Sequence, residues 1–352
     1  MQKLTKRQLE ILEFIRKNEK TGNQSIRALI VKKFGDISRI TVVRDLEALL
    51  QAGLIKKEGR GRNVVYLEAV NNKLLRFVDP EIYFKKGPDE RDVAFLNFNF
   101  EVIDSLKKDI FSKEEIKNLE KINSAYQKRI KKLSQQELER EWERLTIELS
   151  WKSSRIEGNT YSLIDTEVLI KENKEAEGHK KEEAAMIINH KKTLDYIFAN
   201  PKKFKKISLR EIENLHSLIV KNLSVKTGLR KKLVGIVGTR YRPLDNYYQV
   251  REAMEKTIKA VNNSKDPFSK ALAAILLISY IQPFEDGNKR TARLLGNALL
   301  YAHSACPLSF RSVNESDYKK AVIIFYEQMS ARFFKELFVE QFKFAVDNYF
   351  LV

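Results

Sequence analysis

The sequence contains a single cysteine, Cys306, and only 7 prolines, 13 glycines and 4 histidines among 352 residues. One thiol can form neither an intramolecular disulfide nor a zinc site by itself, which excludes a disulfide-stapled secreted protein. The scarcity of glycine and proline argues against a low-complexity chain, and 43% apolar residues are enough for a packed core. We therefore expect a folded, helix-rich protein.

Long apolar runs are missing as well. The longest, Ala271–Ile278, is far shorter than a membrane span, and the basic N-terminal residues have no apolar segment behind them. We expect no membrane segment and no secretion signal, so that the cytoplasm is the default compartment. The length predicts about two domains.

Acidic residues are in the minority, since 65 Lys and Arg face 47 Asp and Glu, a formal charge of +18. The first 70 residues hold 15 of the basic and 8 of the acidic side chains, so positive charge is densest there. Concentrated basic charge is typical of nucleic-acid-binding modules. Elsewhere the lysines and arginines have a simpler explanation as a solvated, soluble surface.

Three short helices are predicted before residue 54. Thr5 is expected to cap the first, with Gln8 bonding back to it. Ser25 is expected to cap a second helix that runs to Phe34, and Ser38 a third that ends at Gly53.

The hydrophobic pattern then changes from helical spacing to that of strands. Residues 54–57 and 64–67 predict two strands around the basic, glycine-rich turn 58–62. Three helices and a hairpin are the order of a winged helix-turn-helix domain, which we assign to residues 1–70. The segment TVVRDLEALLQAGLIKKEGRGR resembles the winged-helix modules of bacterial and archaeal transcription regulators, in which a recognition helix leads into a wing.

This resemblance implies DNA binding, with the third helix in the major groove and the wing at phosphate or in the minor groove. Such modules also serve in dimerisation or protein docking, and Asp45 and Glu47 reduce the positive charge of the helix. The basic wing favours DNA. The residues expected to contact DNA are Arg39, Thr41 and Arg44 on the helix and Arg60 and Arg62 on the wing.

Residues 71–135 are expected to connect two domains. Asparagines and prolines interrupt the pattern over 71–90, which predicts a partly ordered connection. Charged helices with apolar residues at helical spacing follow between Ile110 and Ser150. The second domain is placed at residues 136–352.

The segment that carries chemistry follows a helix that is apolar on all sides, residues 271–281. It has the sequence QPFEDGNKR, 282–290, and opens another helix. A helix start leaves backbone amides and a positive dipole end free for an anion such as phosphate. Asp286 offers a hard oxygen for Mg²⁺, and Arg290 and Arg293 suit phosphate oxygens, so a magnesium nucleotide is predicted. A helix start with solvent-facing charges is the alternative.

The phrase PFEDGNKRTAR closely resembles the active-site loop of Fic (Fido-fold) proteins, whose pattern is HxFxDGNGRxxR. The resemblance implies an all-helical core with a small β-hairpin flap, ATP and Mg²⁺ as cofactors, and transfer of AMP from ATP to a hydroxyl of a target protein. The sequence does not identify this target, and the protein itself is one candidate. The resemblance also implies that Asp286 binds magnesium and that Phe284 anchors the loop. The phosphates would be held by Gly287, Asn288, Lys289, Arg290 and Arg293.

Two positions depart from the family pattern. The family histidine that acts as general base is Gln282 here, and the loss of a general base slows a reaction by about 10²- to 10⁴-fold. None of the four histidines in the sequence lies in this loop, so none replaces the missing base there. Lys289 replaces a glycine, a variant also seen in Doc-type toxins, which phosphorylate; it either adds charge to the phosphates or points to solvent.

An upstream segment, SSRIEGN at 153–159, matches the family's inhibitory pattern S/T-x-x-x-E-G/N. The resemblance makes Ser153, Glu157 and Gly158 an inhibitory motif on a helix near 136–158. It implies that Glu157 pairs with Arg293 and occupies the arginine that should hold the γ-phosphate. By itself the segment is equally typical of an ordinary helix end.

Residues 233–243 predict a short β-hairpin in an otherwise helical region. The hairpin resembles the Fic flap, which aligns a target segment beside the active site by strand addition. The expected docking residues are Val234, Ile236, Gly238 and Tyr241. The glycines alone would also fit a close turn.

The sequence thus supports three functions in decreasing order. The first is a protein adenylyltransferase, autoinhibited by Glu157 and slowed by Gln282. The second is an ATP-sensing, DNA-binding transcription regulator built on a non-catalytic Fic domain, and the third is a phosphotransferase. Both modules are compatible with a homodimer.

Overall fold

The computed structural model describes residues 4–18, 20–69, 72–106 and 110–351. The chain divides into two compact units, Met1–Phe77 and Val78–Val352. Within the described ranges, no helix is both long and apolar enough to cross a membrane.

The first unit combines three helices with a small antiparallel sheet. The helices are α1 (Lys6–Lys17), α2 (Asn23–Phe34) and α3 (Arg39–Gln51), and the strands are β1 (Thr21–Gly22), β2 (Ile55–Glu58) and β3 (Val65–Glu68), in the order β1-β3-β2. The predicted hairpin is confirmed, with Ile55 opposite Glu68 and Glu58 opposite Val65. Strand β1 was not predicted, because two residues are too few to show a period.

Two of the three predicted helix caps are confirmed. Thr5 and Gln8 form a reciprocal capping box at α1, and the Ser38 hydroxyl accepts from the Thr41 amide at α3. The prediction for Ser25 is wrong, since α2 begins earlier and Ser25 lies inside it. Pairing of β1 with β3 fixes the chain up to Gly22, and the helix starts directly after it.

The second unit is helical and is built around one buried helix. That helix, α12 (Pro267–Ile281), is buried at every residue from Lys270 to Ile281, and the apolar residues 271–281 predict this burial. Its neighbours include α11 (Tyr247–Asn263), α13 (Asn288–Ala302) and α14 (Glu315–Gln328). The helices are α4 (Pro80–Tyr83), α5 (Glu101–Leu106), α6 (Lys113–Ile130), α7 (Gln135–Ile156), α8 (Leu163–Glu172), α9 (Lys181–Ala199), α10 (Leu209–Ile219), α11 (Tyr247–Asn263), α12 (Pro267–Ile281), α13 (Asn288–Ala302), α14 (Glu315–Gln328) and α15 (Arg332–Asn348).

From residue 78 onward the chain belongs to the second unit, and within the predicted connection 71–90 Pro80 is buried and the Tyr83 hydroxyl donates to Glu327 at 2.6 Å. Arg91 and Glu327 are both buried and form an ion pair at 2.8 Å. The carbonyl oxygen of Glu327 also accepts from the amides of Ala94 and Phe95. Since the paired charges are 236 residues apart, the sequence pattern gave no sign of this contact.

The prediction of a β-hairpin at residues 233–243 is also wrong. In the described part of the chain this segment contains no strand, only an isolated parallel bridge between Arg242 and Asn97. The Arg242 amide donates to Leu96, and the Thr239 hydroxyl donates to Glu327 at 2.6 Å. The segment is therefore held by the chain around residues 94–99 and by α14, and does not pair with itself.

Candidate active site

The loop between α12 and α13 is fixed by two left-handed residues. Gln282 ends α12 with φ 51°, and Gly287 precedes α13 with φ 79°. A Cβ atom on Gly287 would lie 3.1 Å from Val220 Cγ1 and 3.6 Å from His216 Cδ2. Glycine is needed there for both its backbone conformation and the close approach.

Asn288 closes this loop across Phe284. Its Oδ1 accepts from the Phe284 amide at 2.8 Å, and its Nδ2 donates to the Phe284 carbonyl at 2.9 Å. The side chain is therefore occupied within the loop, so that the phosphate contact expected of Asn288 would come from its backbone amide. Phe284 itself is buried, as expected of the loop anchor.

His216, which the sequence did not indicate as a site residue, packs against the loop. Its ring stacks on Phe284 at 3.8 Å with an interplanar angle of 7°, and its Nε2 donates to the Asp286 carbonyl at 3.0 Å. Burial lowers the pKa of His216 to about 4, so the imidazole is neutral near pH 7. It packs against the loop and does not enter the cavity.

Arg230 is a second residue that sequence reasoning missed. It is buried, and its guanidinium donates to the carbonyls of Gln282 at 2.6 Å and Lys232 at 2.9 Å, and to that of Leu244. Its backbone amide donates to Pro283 at 2.9 Å. Arg230 thus ties the loop to both ends of the segment 233–243. In the sequence it stands beside two lysines and looked like one more solvated charge.

The loop forms one wall of a cavity of about 400 Å³. This volume is within the range of small-molecule sites. Glu157 and the loop residues 285–290 line it on one side, and Val234 and Ile236 on another. Tyr318 and Tyr326 of α14 also contribute.

Two buried arginines supply positive charge at the start of α13. Arg290 Nη2 is 3.1 Å from Asp286 Oδ2. Arg293 donates from Nε and Nη2 to Ser153 Oγ and the Ser153 carbonyl, both at 2.8 Å. Nη1 of each arginine is buried without a hydrogen-bond partner among the described residues. Two guanidinium groups therefore retain unused donors for an anion.

Glu157 stands between Arg293 and the cavity. Its Oε1 is 2.9 Å from Arg293 Nη2, and its Oε2 is 3.4 Å from Lys289 Nζ. The Glu157 side chain is 18% exposed and lines the cavity, whereas that of Arg293 is 0% exposed and does not. The ion pair that the resemblance implies is thus present, and Gly158 follows it in the left-handed region with φ 98°.

The geometry of this contact is that of opposed charges rather than of an aligned hydrogen bond. Burial alone would raise the pKa of Glu157, but Arg293 and Lys289 outweigh burial and hold the pKa below its ordinary value. Lys289 thus does not point to open solvent but lines the cavity beside Glu157. It is the second cation on Glu157.

Gln282 stands where the Fic loop pattern has histidine, and its side chain is held within the protein. Its Nε2 donates to the Ser279 carbonyl at 2.6 Å and lies 3.5 Å from the Tyr326 hydroxyl. The side chains that line the cavity include the carboxylates of Glu157, Glu285 and Asp286, but no imidazole among the described residues. The site therefore offers no histidine base to a hydroxyl in the cavity.

Asp286 is the candidate metal ligand. Its carboxylate is 67% exposed at the cavity and contacts Arg290. The described residues contain no group of three or more His, Cys, Asp or Glu side chains placed to hold a metal ion. One carboxylate fits Mg²⁺ that is bound mainly by nucleotide phosphates and water, which is the usual manner of Mg²⁺ at nucleotide sites.

The expected target-docking residues divide into two groups. Val234 and Ile236 line the cavity, and Gly238 turns the chain with φ 83°. Tyr241 is buried, donates to the Tyr280 carbonyl at 2.9 Å and stacks on the Tyr280 ring, which corrects its expected docking role. Val237, which was not among the predicted docking residues, is 97% exposed.

In the first unit, Arg39, Arg44 and Arg60 are exposed as predicted. Thr41 is half-buried, and its hydroxyl is 2.9 Å from that of Ser38, so it belongs to the helix cap and not to the outer face. The side chain of Arg62 lies outside the described residues. Asp45 does not reduce the positive charge on the exposed face of α3, because it is buried and paired with Arg7 at 2.5 Å.

Comparisons with known proteins agree with this division. Residues 206–300 match the family model described as Fic/DOC family, and residues 1–63 match that of the LexA DNA binding domain. Among curated relatives, "Protein adenylyltransferase Fic" of Nematostella vectensis is 28% identical over 177 residues, which are 48% of this chain and 40% of that protein. "Protein adenylyltransferase fic-1" of Caenorhabditis elegans is 25% identical over 169 residues, or 46% of this chain and 33% of that protein. The matches thus span less than half the length of these relatives.

Solved structures show the same fold. Fic-1 from C. elegans has a TM-score of 0.56 at 19% identity, over 70% of this chain and 79% of that one. A Fic domain-containing signaling protein from Bacteroides thetaiotaomicron has a TM-score of 0.53 at 21% identity, over 65% and 92%. The chain therefore combines a LexA-like DNA-binding domain with a helical domain of the Fic fold.

Proposed function

We propose that the second unit is a Fic-type adenylyl transfer site that binds ATP, is closed by Glu157 and transfers AMP slowly to a protein hydroxyl. The observation that carries this proposal is the pair of buried Nη1 atoms of Arg290 and Arg293 without partners. Arg290 lines a cavity of about 400 Å³ at the start of α13, and Arg293 lies behind Glu157. Buried cations with unused donors at a helix N-terminus suit a polyphosphate.

Each residue of the loop has a role in this proposal. The first-turn amides of α13 and the Arg290 guanidinium would bind the phosphates. Asp286 would hold Mg²⁺, which would neutralise phosphate charge when bound. Arg293 would reach the γ-phosphate only after Glu157 has moved, because Glu157 lies between it and the cavity.

The transfer step forms a bond between the target hydroxyl oxygen and the α-phosphorus and breaks the bond from that phosphorus to the bridging oxygen. Pyrophosphate leaves, and the hydroxyl proton must go to a base. The Gln282 amide cannot take it, so the proton would go to a carboxylate that lines the cavity, to solvent or to a phosphate oxygen. We expect a rate about 10²- to 10⁴-fold below that of a site with histidine at this position. The exposed Val237 and the cavity-lining Val234 and Ile236 would contact the target segment.

A second candidate is an ATP-sensing regulator that binds DNA through the first unit. The match to the LexA DNA binding domain over residues 1–63 and the exposed Arg39, Arg44 and Arg60 favour DNA as the partner. Gln282 favours a site that binds ATP without efficient turnover. In this case binding of ATP to the second unit, and not a reaction product, would be the signal that changes DNA binding.

Transfer of label from α-labelled ATP separates the two candidates. The original chain, Glu157→Gly, and Glu157→Gly combined with Gln282→His are incubated with Mg²⁺, and self-modification is measured so that no target need be known. We expect strong labelling only in the double variant. Labelling from γ-labelled ATP would instead indicate phosphoryl transfer.

Binding of ATP to all three chains is measured in parallel by calorimetry. ATP binding without labelling in any variant would refute the transfer proposal and leave the sensor. An absence of ATP binding in every variant would refute both.

A further inference from the structure

Helix α3 exposes one continuous stripe of side chains that includes two large apolar residues. Ile40 is 65% exposed and Val43 is 37% exposed, whereas the core of the unit takes Val42, Leu46 and Leu49 from the same helix. The spacing of the exposed pair places both on the outward face. These side chains therefore contribute little to the folding of the unit and are free to contact a partner outside it.

Positive charge surrounds this pair. Arg39 and Arg44 flank it on the same stripe, and neither forms an ion pair within the described part of the chain. The buried Asp45 is neutralised by Arg7. The acidic side chain of Glu47 lies one helical turn after Val43, toward the C-terminal end of α3. An apolar pair between two unpaired arginines, at the N-terminal end of a helix, is complementary to a polyanion with an apolar group on its surface.

We infer that Ile40 and Val43 contact thymine methyl groups in the major groove and so determine which DNA sequence the chain prefers. This inference rests on the proposed DNA binding of the first unit. Thymine carries the major groove's apolar group, its C5-methyl, whereas the other base edges present hydrogen-bonding atoms. Helices of this class contact base edges with their N-terminal residues.

The geometry also limits the spacing of the thymines. Three residues of α-helix advance about 4.5 Å along the axis, and neighbouring base pairs are about 3.4 Å apart along the duplex. With α3 lying along the groove, this spacing would match methyl groups on adjacent base pairs. Arg39 and Arg44 are positioned to contact flanking guanines or phosphates.

The test begins with selection of duplexes from a random library by the full chain. In the best site, each thymine is then replaced singly by deoxyuridine, which removes the methyl group and leaves the hydrogen-bonding edge unchanged. We expect two sensitive positions at adjacent base pairs, each with about fourfold weaker binding, the effect of one buried methyl-sized group. Ile40→Ala should weaken binding to the thymine site and abolish the effect of deoxyuridine at one position, and Val43→Ala at the other.

The matched control is Val31→Ala, since Val31 is also 37% exposed but lies on α2. It should retain both deoxyuridine effects, and all three variants should unfold at the temperature of the original chain. If the original chain shows no salt-dependent binding to any duplex, the DNA-binding proposal itself is refuted. Sequence-selective binding that deoxyuridine leaves unchanged would refute only the role of Ile40 and Val43. If the variants instead convert a dimer to a monomer in sedimentation, the stripe contacts a second copy, and the inference is wrong.

Discussion

Replacing Glu157 by glutamine tests whether this carboxylate competes with the γ-phosphate. The substitution keeps the shape of the side chain and removes the charge that faces Arg293 at 2.9 Å and Lys289 at 3.4 Å. Both cations then become available to an anion in the cavity. In the proposed binding mode ATP would place its γ-phosphate there, and ADP has none, so the two nucleotides should respond differently.

The expected size follows from the contact that is exchanged. A hydrogen bond to a charged group contributes about 1.5–3 kcal/mol, and about 1.4 kcal/mol corresponds to a tenfold change in affinity. We therefore expect ATP to bind about 10- to 100-fold more tightly to Glu157→Gln than to the original chain. ADP affinity should change less than about twofold, because no contact of its phosphates depends on Glu157.

Isothermal calorimetry with ATP and ADP in the presence of Mg²⁺ measures both affinities. Glu285→Gln is the matched control, since it removes the same charge from the same cavity and should leave the ratio of ATP to ADP affinity unchanged. Equal tightening for both nucleotides would mean that Glu157 acts as a general negative charge and does not occupy the γ-phosphate position. No tightening for either would refute the inhibitory role.

Two further predictions concern the support of the loop. Arg230→Ala leaves buried carbonyl groups without their donor, and we expect the free energy of unfolding in urea to fall by about 3 kcal/mol or more, with faster amide exchange at residues 281–284; the exposed neighbour Lys231→Ala should cause neither change. For His216 the folded pKa is about 4 against an ordinary value of 6.5. The unfolded state therefore binds the proton more readily, and stability is lost as pH falls from about 6.5 to about 4, by about 3 kcal/mol for this group. Urea unfolding of the original chain and of His216→Gln across this range checks the prediction, and parallel curves would contradict it.

Much of the fold followed from local signals. The uniformly apolar run gave the buried helix α12, and Gly287 with Asn288 marked the start of α13. Thr5 and Ser38 were recognisable as caps because a cap depends on residues only three positions apart. The wing hairpin was predictable for the same reason.

Contacts between distant residues were not predictable from periodicity or local caps. Arg230 bonds to carbonyls about 50 positions along the chain, and Arg91 pairs with Glu327. Such arginines resemble solvated charges until the fold brings their partners together. The segment 233–243 was misjudged for this reason too, since its glycines fit a hairpin locally, but Glu327 and residues 94–99 hold it in another conformation. The contact of Glu157 with Arg293 was expected only because a sequence motif, and not a spacing, pointed to it.

The second cation on Glu157 decides how the proposed inhibition can be released. Arg293 and Lys289 hold the pKa of Glu157 below its ordinary value. A carboxyl group with a lowered pKa stays ionised at neutral pH, and its ion pairs are lost only as pH falls through that lowered value. Changes in pH near neutrality therefore cannot open the site. Release requires either movement of the end of α7 or an anion that competes for both cations, and a γ-phosphate is such an anion. Lys289, one of the two positions at which this chain departs from the Fic loop pattern, thus favours control by nucleotide over control by acid.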